Sequence, residues 1–153
     1  MTKKINFFTE DLAFSPKNKT ILKKWIITII EAHQQQAGEL NFVFCSDAYL
    51  HQLNVQHLGH DTLTDIITFD NGDQLGVVEG DIFISVDRVR ENASTFGVLF
   101  DQELHRVMIH GTLHLLGFGD KTADEQQLMR LKEDEQIQQL ADLLNIPKSA
   151  ALE

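Results

Sequence analysis

Two histidines four residues apart, followed by an aspartate set on glycines, are the residues of this chain best spaced to do chemistry: HGTLHLLGFGD, residues 110 to 120. On an α-helix, positions i and i+4 share one face about 6 Å apart along the axis, so His110 and His114 can turn ring nitrogens toward one ion. Past Gly117 and Gly119, Asp120 stands where the chain can fold back and offer an oxygen. Zinc accepts imidazole and carboxylate together, and three protein ligands leave a fourth position for water, as in catalytic rather than structural sites. Gly111 follows the first histidine, so the helical glutamate of the zinc-protease motif HExxH is missing and that reading falls away. The spacing alone also fits core histidines bonded to carbonyls. An unpaired polar group in apolar surroundings costs roughly 1–3 kcal/mol, so either reading needs partners for both rings.

The elements that must position these residues follow from periodicity. QELHRVMIHGTLHLLG is apolar nearly all round, which predicts a helix enclosed by other elements. The two glycines end it, and Thr122 with Glu125 forms a capping box that opens a last amphipathic helix through Leu128, Leu131, Ile137, Leu140 and Leu144. Upstream, KINFF, ELNFVFC, TDIITF and GDIFISV read as four strands, the last two separated by the turn-forming DNGDQLG. Ser15-Pro16 predicts the start of a helix whose stripe is Leu22, Trp25, Ile26, Ile29 and Ile30, and Ser46 or Asp47 caps a short helix after the second strand. DRVRENASTF begins the helical second half. The expected fold is α+β: a mixed four-stranded sheet packed with about five helices, zincin-like, with the histidine helix at its centre.

At 153 residues the chain suits a single domain, residues 1–153, able to bury a core without staples. It shows no apolar run of membrane-spanning length and no signal peptide, and its single cysteine, Cys45, cannot form an internal disulfide; a cytoplasmic protein is expected. The net charge of −10 argues against indiscriminate nucleic-acid binding. Six lysines in residues 1–24 (3, 4, 17, 19, 23 and 24) face only Glu10 and Asp11, so that end could meet an anionic partner, although a solvated face explains it as well.

HGTLHLLGFGD resembles the signature of the YbeY family of zinc-dependent endoribonucleases, bacterial ribosomal-RNA maturation factors, whose helix reads H-G-x-L-H-L-x-G-[YF]-D-H. NVQHLGHDTLTDIITF matches that family's N-x-x-[Y]-R-x-K-D-x-x-T-D segment at Asn54, Asp61, Thr64 and Asp65, continuing to Phe69, and GDIFIS at Gly80 to Ser85 matches its G-D-I strand. The resemblance covers essentially the whole chain. It implies one zinc ion on His110, His114 and Asp120, the aspartate standing where the family's third histidine is usual. It implies substrate contacts at Asn54, His60 and Thr64, with His60 and Asp65 the candidates for a catalytic role that no motif assigns. Leu58 replaces the family's arginine and His60 its lysine, both cations facing RNA. These changes make the site less positive, and His60 restores a charge only while protonated.

The function so implied is a single-strand-specific, metal-dependent endoribonuclease that matures the 3′ end of small-subunit (16S) ribosomal RNA and takes part in ribosome quality control. Its partners would be ribosomal RNA and the small ribosomal subunit, with no membrane. Two alternatives stay open: a non-catalytic ribosome-associated RNA-binding module with a structural metal, and a metal-dependent hydrolase of another substrate. His51, His57 and His60 form a conceivable second metal site, but surface positions around a short helix explain them better. Asp65 beside Thr64 positions water or substrate, or else forms a strand-entry hydrogen-bond pair. Asp81 reads as a structural aspartate bonded to backbone. His105 lies about 140° around the helix from His110, off the ligand face.

Overall fold

The computed structural model describes residues 4–152, with side chains described through residue 144; Lys3 of the lysine-rich end lies outside. In chain order the elements are β1 (Ile5–Thr9), α1 (Lys19–Ala32), β2 (Gln36–Cys45), α2 (Asp47–Leu53), a π-helical turn (Asn54–Leu58), β3 (Ile66–Asp70), β4 (Val77–Ser85), α3 (Val86–Phe96), α4 (Phe100–Leu115) and α5 (Ala123–Leu152). The sheet order is β1-β2-β4-β3. β1, β2 and β4 are parallel and β3 runs antiparallel to β4, with Ile66 opposite Ile84 and Phe69 opposite Asp81. This is the mixed four-stranded sheet with five α-helices that the periodicity predicts.

Alternation along the strands separates two faces. Leu40, Phe42 and Phe44 of β2, with Ile82 and Ile84 of β4, are fully buried in a core that includes Trp25, Ile26 and Ile29 of α1 and Met108, Ile109 and Leu113 of α4. The opposite face is covered at its C-terminal end by α2, where Cys45, Leu50 and Ile67 make a smaller cluster. Burial pushes the Cys45 thiol up to about 12, which suits an inert core residue. The other end of that face is polar. The Asn6 amide donates to Asn41, and the Asn41 and Asn71 amides donate to the two carboxylate oxygens of Asp81 at 2.9 and 3.1 Å. Asp81 is therefore structural, as expected, but through side-chain amides rather than backbone.

Several boundaries follow local chemistry. Ser46 caps α2 by accepting from the Tyr49 amide at 3.1 Å, and Ser85 caps α3 by accepting from Arg88 at 3.0 Å. Ser15-Pro16 does not open α1. That helix starts at Lys19 behind Asn18 in left-handed backbone, because Pro16 is buried and Phe14 packs between Phe44 and Phe100. Tertiary packing of the connection overrides the cap signal. The stripe of α5 is rotated as well: Leu128 and Leu131 are exposed, while Met129, Glu133, Gln136 and Leu140 face inward. Among the described residues no helix is long and apolar enough to cross a membrane.

α4 is held close against the sheet. A methyl group on Gly111 would lie 2.8 Å from Ile66 Cδ1 and 3.0 Å from Ile82 Cγ2, so glycine lets the helix approach β3 and β4 at that turn. One face of α4 thereby enters the core, and His110 and His114 remain half-buried at its edge.

Candidate metal centre

The end of α4 builds the centre. Gly117 takes φ +106°, and the backbone closes in a Schellman arrangement: the Phe118 N–H donates to Leu113 O at 3.0 Å and the Gly117 N–H to His114 O at 3.0 Å. This turn brings the Phe118 carbonyl back to His114, whose Nδ1 lies 2.9 Å from it. A carbonyl only accepts, so His114 Nδ1 carries the proton and the Nε2 lone pair is free. Across α5, the buried Glu133 holds His110 Nδ1 at 2.6 Å, which fixes the same tautomer there. The two rings stand edge to face with centroids 4.5 Å apart.

Asp120 completes the trio. Its Oδ2 lies 3.2 Å from His110 Nε2 and 3.3 Å from His114 Nε2. The connection that carries it is fixed by the predicted capping box: Glu125 Oε1 accepts from the Lys121 and Thr122 amides, and Thr122 Oγ1 accepts from the Glu125 amide. Gly119 belongs to this box rather than to the helix exit, since a methyl group there would lie 2.9 Å from the Glu125 carboxylate.

Two imidazole Nε2 atoms and a carboxylate oxygen thus face one another, and with both rings neutral each offers a lone pair to a shared cation. Four-coordinate zinc with bonds of roughly 2.0–2.2 Å sets neighbouring donor atoms about 3.3 Å apart, the separation from Asp120 to both rings. Among the described residues these are the one group of histidine, cysteine and carboxylate side chains with donor atoms close enough to share an ion, within 4.8 Å of one another. The donor set fits a zinc-type metal, and among the described residues His51, His57 and His60 do not gather into a second site, in keeping with their reading as surface positions. His51 pairs with Asp61 at 2.8 Å and His57 lies edge-on to Phe69.

The surroundings are acidic. A cavity of about 330 Å³ opens beside the trio, walled by Asp65, Glu103, Arg106, His110, Asp120 and Glu133 among others. Burial alone would strip the proton from His110, but the hydrogen bond and charge of Glu133, with Asp120 and Asp65, outweigh it and hold the imidazole above the usual histidine value. Burial pushes the Asp65 carboxyl up, with His110 opposing. Burial also raises Glu103, helped by Asp65 and opposed by Arg106 and Arg130. Arg106 is locked in place by Glu133 at 2.9 Å and Asp134 at 2.8 Å.

Of the other residues singled out in the sequence, Asp65 joins the cavity wall at the entry to β3. Asn54 is buried and its amide donates to the Thr62 carbonyl at 2.9 Å, which shapes the loop between the π-helical turn and β3. Thr64 donates to Ile66 O, and His60 is exposed on that loop. Leu58 is also exposed, at the end of the π-helical turn. His105 packs against Trp25, away from the trio. Glu133 carries no motif signal, because the leucines of the last helix suggest a different buried face.

The chain is similar to known proteins over most of its length. The family model described as Endoribonuclease YbeY matches residues 4–141. An Endoribonuclease YbeY of Christiangramia forsetii is 51% identical over 134 residues, covering 87% of this chain and 92% of that protein. One from Amoebophilus asiaticus is 49% identical over 129 residues, covering 84% and 88%. The solution structure of a Thermotoga maritima protein superposes with a TM-score of 0.61 at 29% identity, covering 89% of this chain and 88% of that one. Matched from its first strand into its last helix, with the motif's two histidines on α4 and its aspartate in the connection that follows, the chain belongs to the Endoribonuclease YbeY family.

Proposed function

We propose that this chain, as one domain over residues 1–153, is a cytoplasmic zinc-dependent endoribonuclease that cuts single-stranded RNA, matures the 3′ end of 16S ribosomal RNA and serves ribosome quality control on the small subunit. The observation that carries the proposal is the convergence of His110 Nε2, His114 Nε2 and Asp120 Oδ2, with the remaining nitrogen of each ring already held by Glu133 or the Phe118 carbonyl. When bound, zinc polarises a phosphoryl oxygen and makes water acidic enough to attack near neutral pH. The side chains supply orientation and proton handling. Asp65, its carboxyl raised by burial, stands at the edge of the cavity as the side chain placed to take a proton from the attacking group. Asn54 and Thr64 fix the loop that carries His60, the exposed cation candidate for the RNA backbone.

Protein purified without added metal, analysed for zinc and assayed on single-stranded RNA, tests the proposal. About one zinc per chain and cleavage of RNA are expected, with His114→Ala folded but inactive. Zinc-loaded protein that leaves RNA intact, or an active His114→Ala, overturns it. The product ends then identify the nucleophile. A cyclic phosphate reports attack by the neighbouring 2′-hydroxyl, and an ordinary phosphate end reports attack by water.

A further inference from the structure

Beside the metal centre lies a second cleft of about 450 Å³, inside the roughly 300–1,000 Å³ span of small-ligand pockets. It shares Glu103, Arg106 and Arg130 with the cavity of the metal trio, so the two spaces adjoin. Its other walls are Phe96, Val98 and Ile137, with Gln102 at the side. Phe96 ends α3 and is 63% exposed.

Glu103 is the unusual member. It is 6% exposed, yet its carboxylate accepts no hydrogen bond from a described residue; only the charges of Asp65, Arg106, Arg130 and Glu133 act on it. Although little of the residue is exposed, its carboxylate opens onto both cavities, so its oxygens are free to accept from a ligand that enters there. Arg106 is committed to Glu133 and Asp134, whereas Arg130 makes no ion pair with a described residue and is exposed. The cleft therefore offers an aromatic face, an acceptor pair at its floor and an uncommitted guanidinium at the junction with the metal centre.

We propose that this cleft is a nucleotide subsite that holds the base next to the scissile phosphate, and that Glu103 makes it select guanine. Single-stranded RNA is read by stacking splayed bases on aromatic rings and hydrogen bonding their Watson–Crick edges. Guanine presents two parallel N–H donors there, N1–H and N2–H, which match the two oxygens of one carboxylate. Cytosine and adenine present a single amino group each, and uracil one ring N–H. Phe96 supplies the stacking face, and Arg130 meets the phosphate that links this base to the metal centre. The assignment rests on the endoribonuclease reading and adds a base preference to it.

Two measurements on the full-length protein test it. Short fluorescent single-stranded RNAs carrying guanine, inosine or uracil at one position are bound to protein stripped of metal and followed by anisotropy. Their cleavage sites are then mapped with zinc restored. Inosine keeps N1–H and lacks the amino group. Wild-type protein is expected to bind the guanine RNA about tenfold more tightly than the inosine RNA and to cut beside guanine. In Glu103→Gln, which exchanges one acceptor for a donor, that ratio falls toward one. Arg130→Ala weakens binding of all three RNAs and lowers the slope of log affinity against log salt by about one. If wild-type protein binds and cuts RNA with no distinction between guanine and inosine, the subsite assignment fails and the endoribonuclease reading stands. If it neither binds nor cuts any of the three, both fail.

Discussion

At His110 the nitrogen that points away from the metal position matters as much as the one that points toward it. Glu133 accepts from Nδ1 at 2.6 Å and is itself held by Arg106, so the ring arrives with its tautomer and angle already set. Outer partners of this kind typically contribute 10–100-fold in metal affinity. Glu133→Ala is thus expected to weaken zinc binding about 10–100-fold, read by competition with a chromogenic chelator. Unchanged affinity would show that Glu133 only fills space. A second residue-scale effect concerns His105, which sits off the ligand face. Burial lowers its pKa below the ordinary 6.5, with Asp101 partly opposing. The unfolded chain then binds this proton more readily than the folded one, so its contribution is complete above pH 6.5 and declines as pH falls below it toward the folded value. Urea unfolding across this window should show a smaller loss of stability for His105→Gln than for the natural protein.

The elements show what the sequence could reveal and what it could not. The i, i+4 histidines, the Ser46 cap and the Thr122–Glu125 box are local features, written within a few residues, and each is found where its pattern predicts. Glu133 and the start of α1 depend on what packs against them. α5 turns Glu133 inward because Arg106 and His110 wait there, and nothing within α5 announces those partners. The apolar look of α4 likewise signals enclosure, while the closeness of β3 and β4 at Gly111 appears only in three dimensions. Gly111→Ala should gain helix propensity but overpack Ile66 and Ile82, for a net loss of about 1–3 kcal/mol in urea unfolding. Gly117→Ala should cost about 1–2 kcal/mol through its left-handed backbone. It should also weaken zinc binding by displacing the Phe118 carbonyl from His114. A Gly117→Ala protein with reduced stability and intact zinc affinity would separate the helix terminus from the metal centre.

Across the whole molecule, an acidic chain of net charge −10 must bring an anionic polymer to a cavity that is itself lined by Asp65, Glu103, Asp120 and Glu133. Arg106 and Arg130 offset only part of that charge, so a cation held by the trio would also relieve repulsion between α4, α5 and the loop before β3. Folding and metal binding would then be linked. A ligand present at 100 times its dissociation constant, with no affinity for the unfolded chain, stabilises the native state by about 2.7 kcal/mol. In a domain of about this size each kcal/mol moves the melting temperature by roughly 2–4 °C. Zinc at that excess is therefore expected to raise the melting temperature of the metal-free protein by about 5–11 °C. The shift should be reversed by a chelator and absent in His114→Ala. Calcium, which prefers six to eight oxygen ligands, should produce little of it. A comparable calcium shift, or a zinc shift that survives in His114→Ala, would mean that the stabilising cation sits on the acidic surface and not on the two imidazoles.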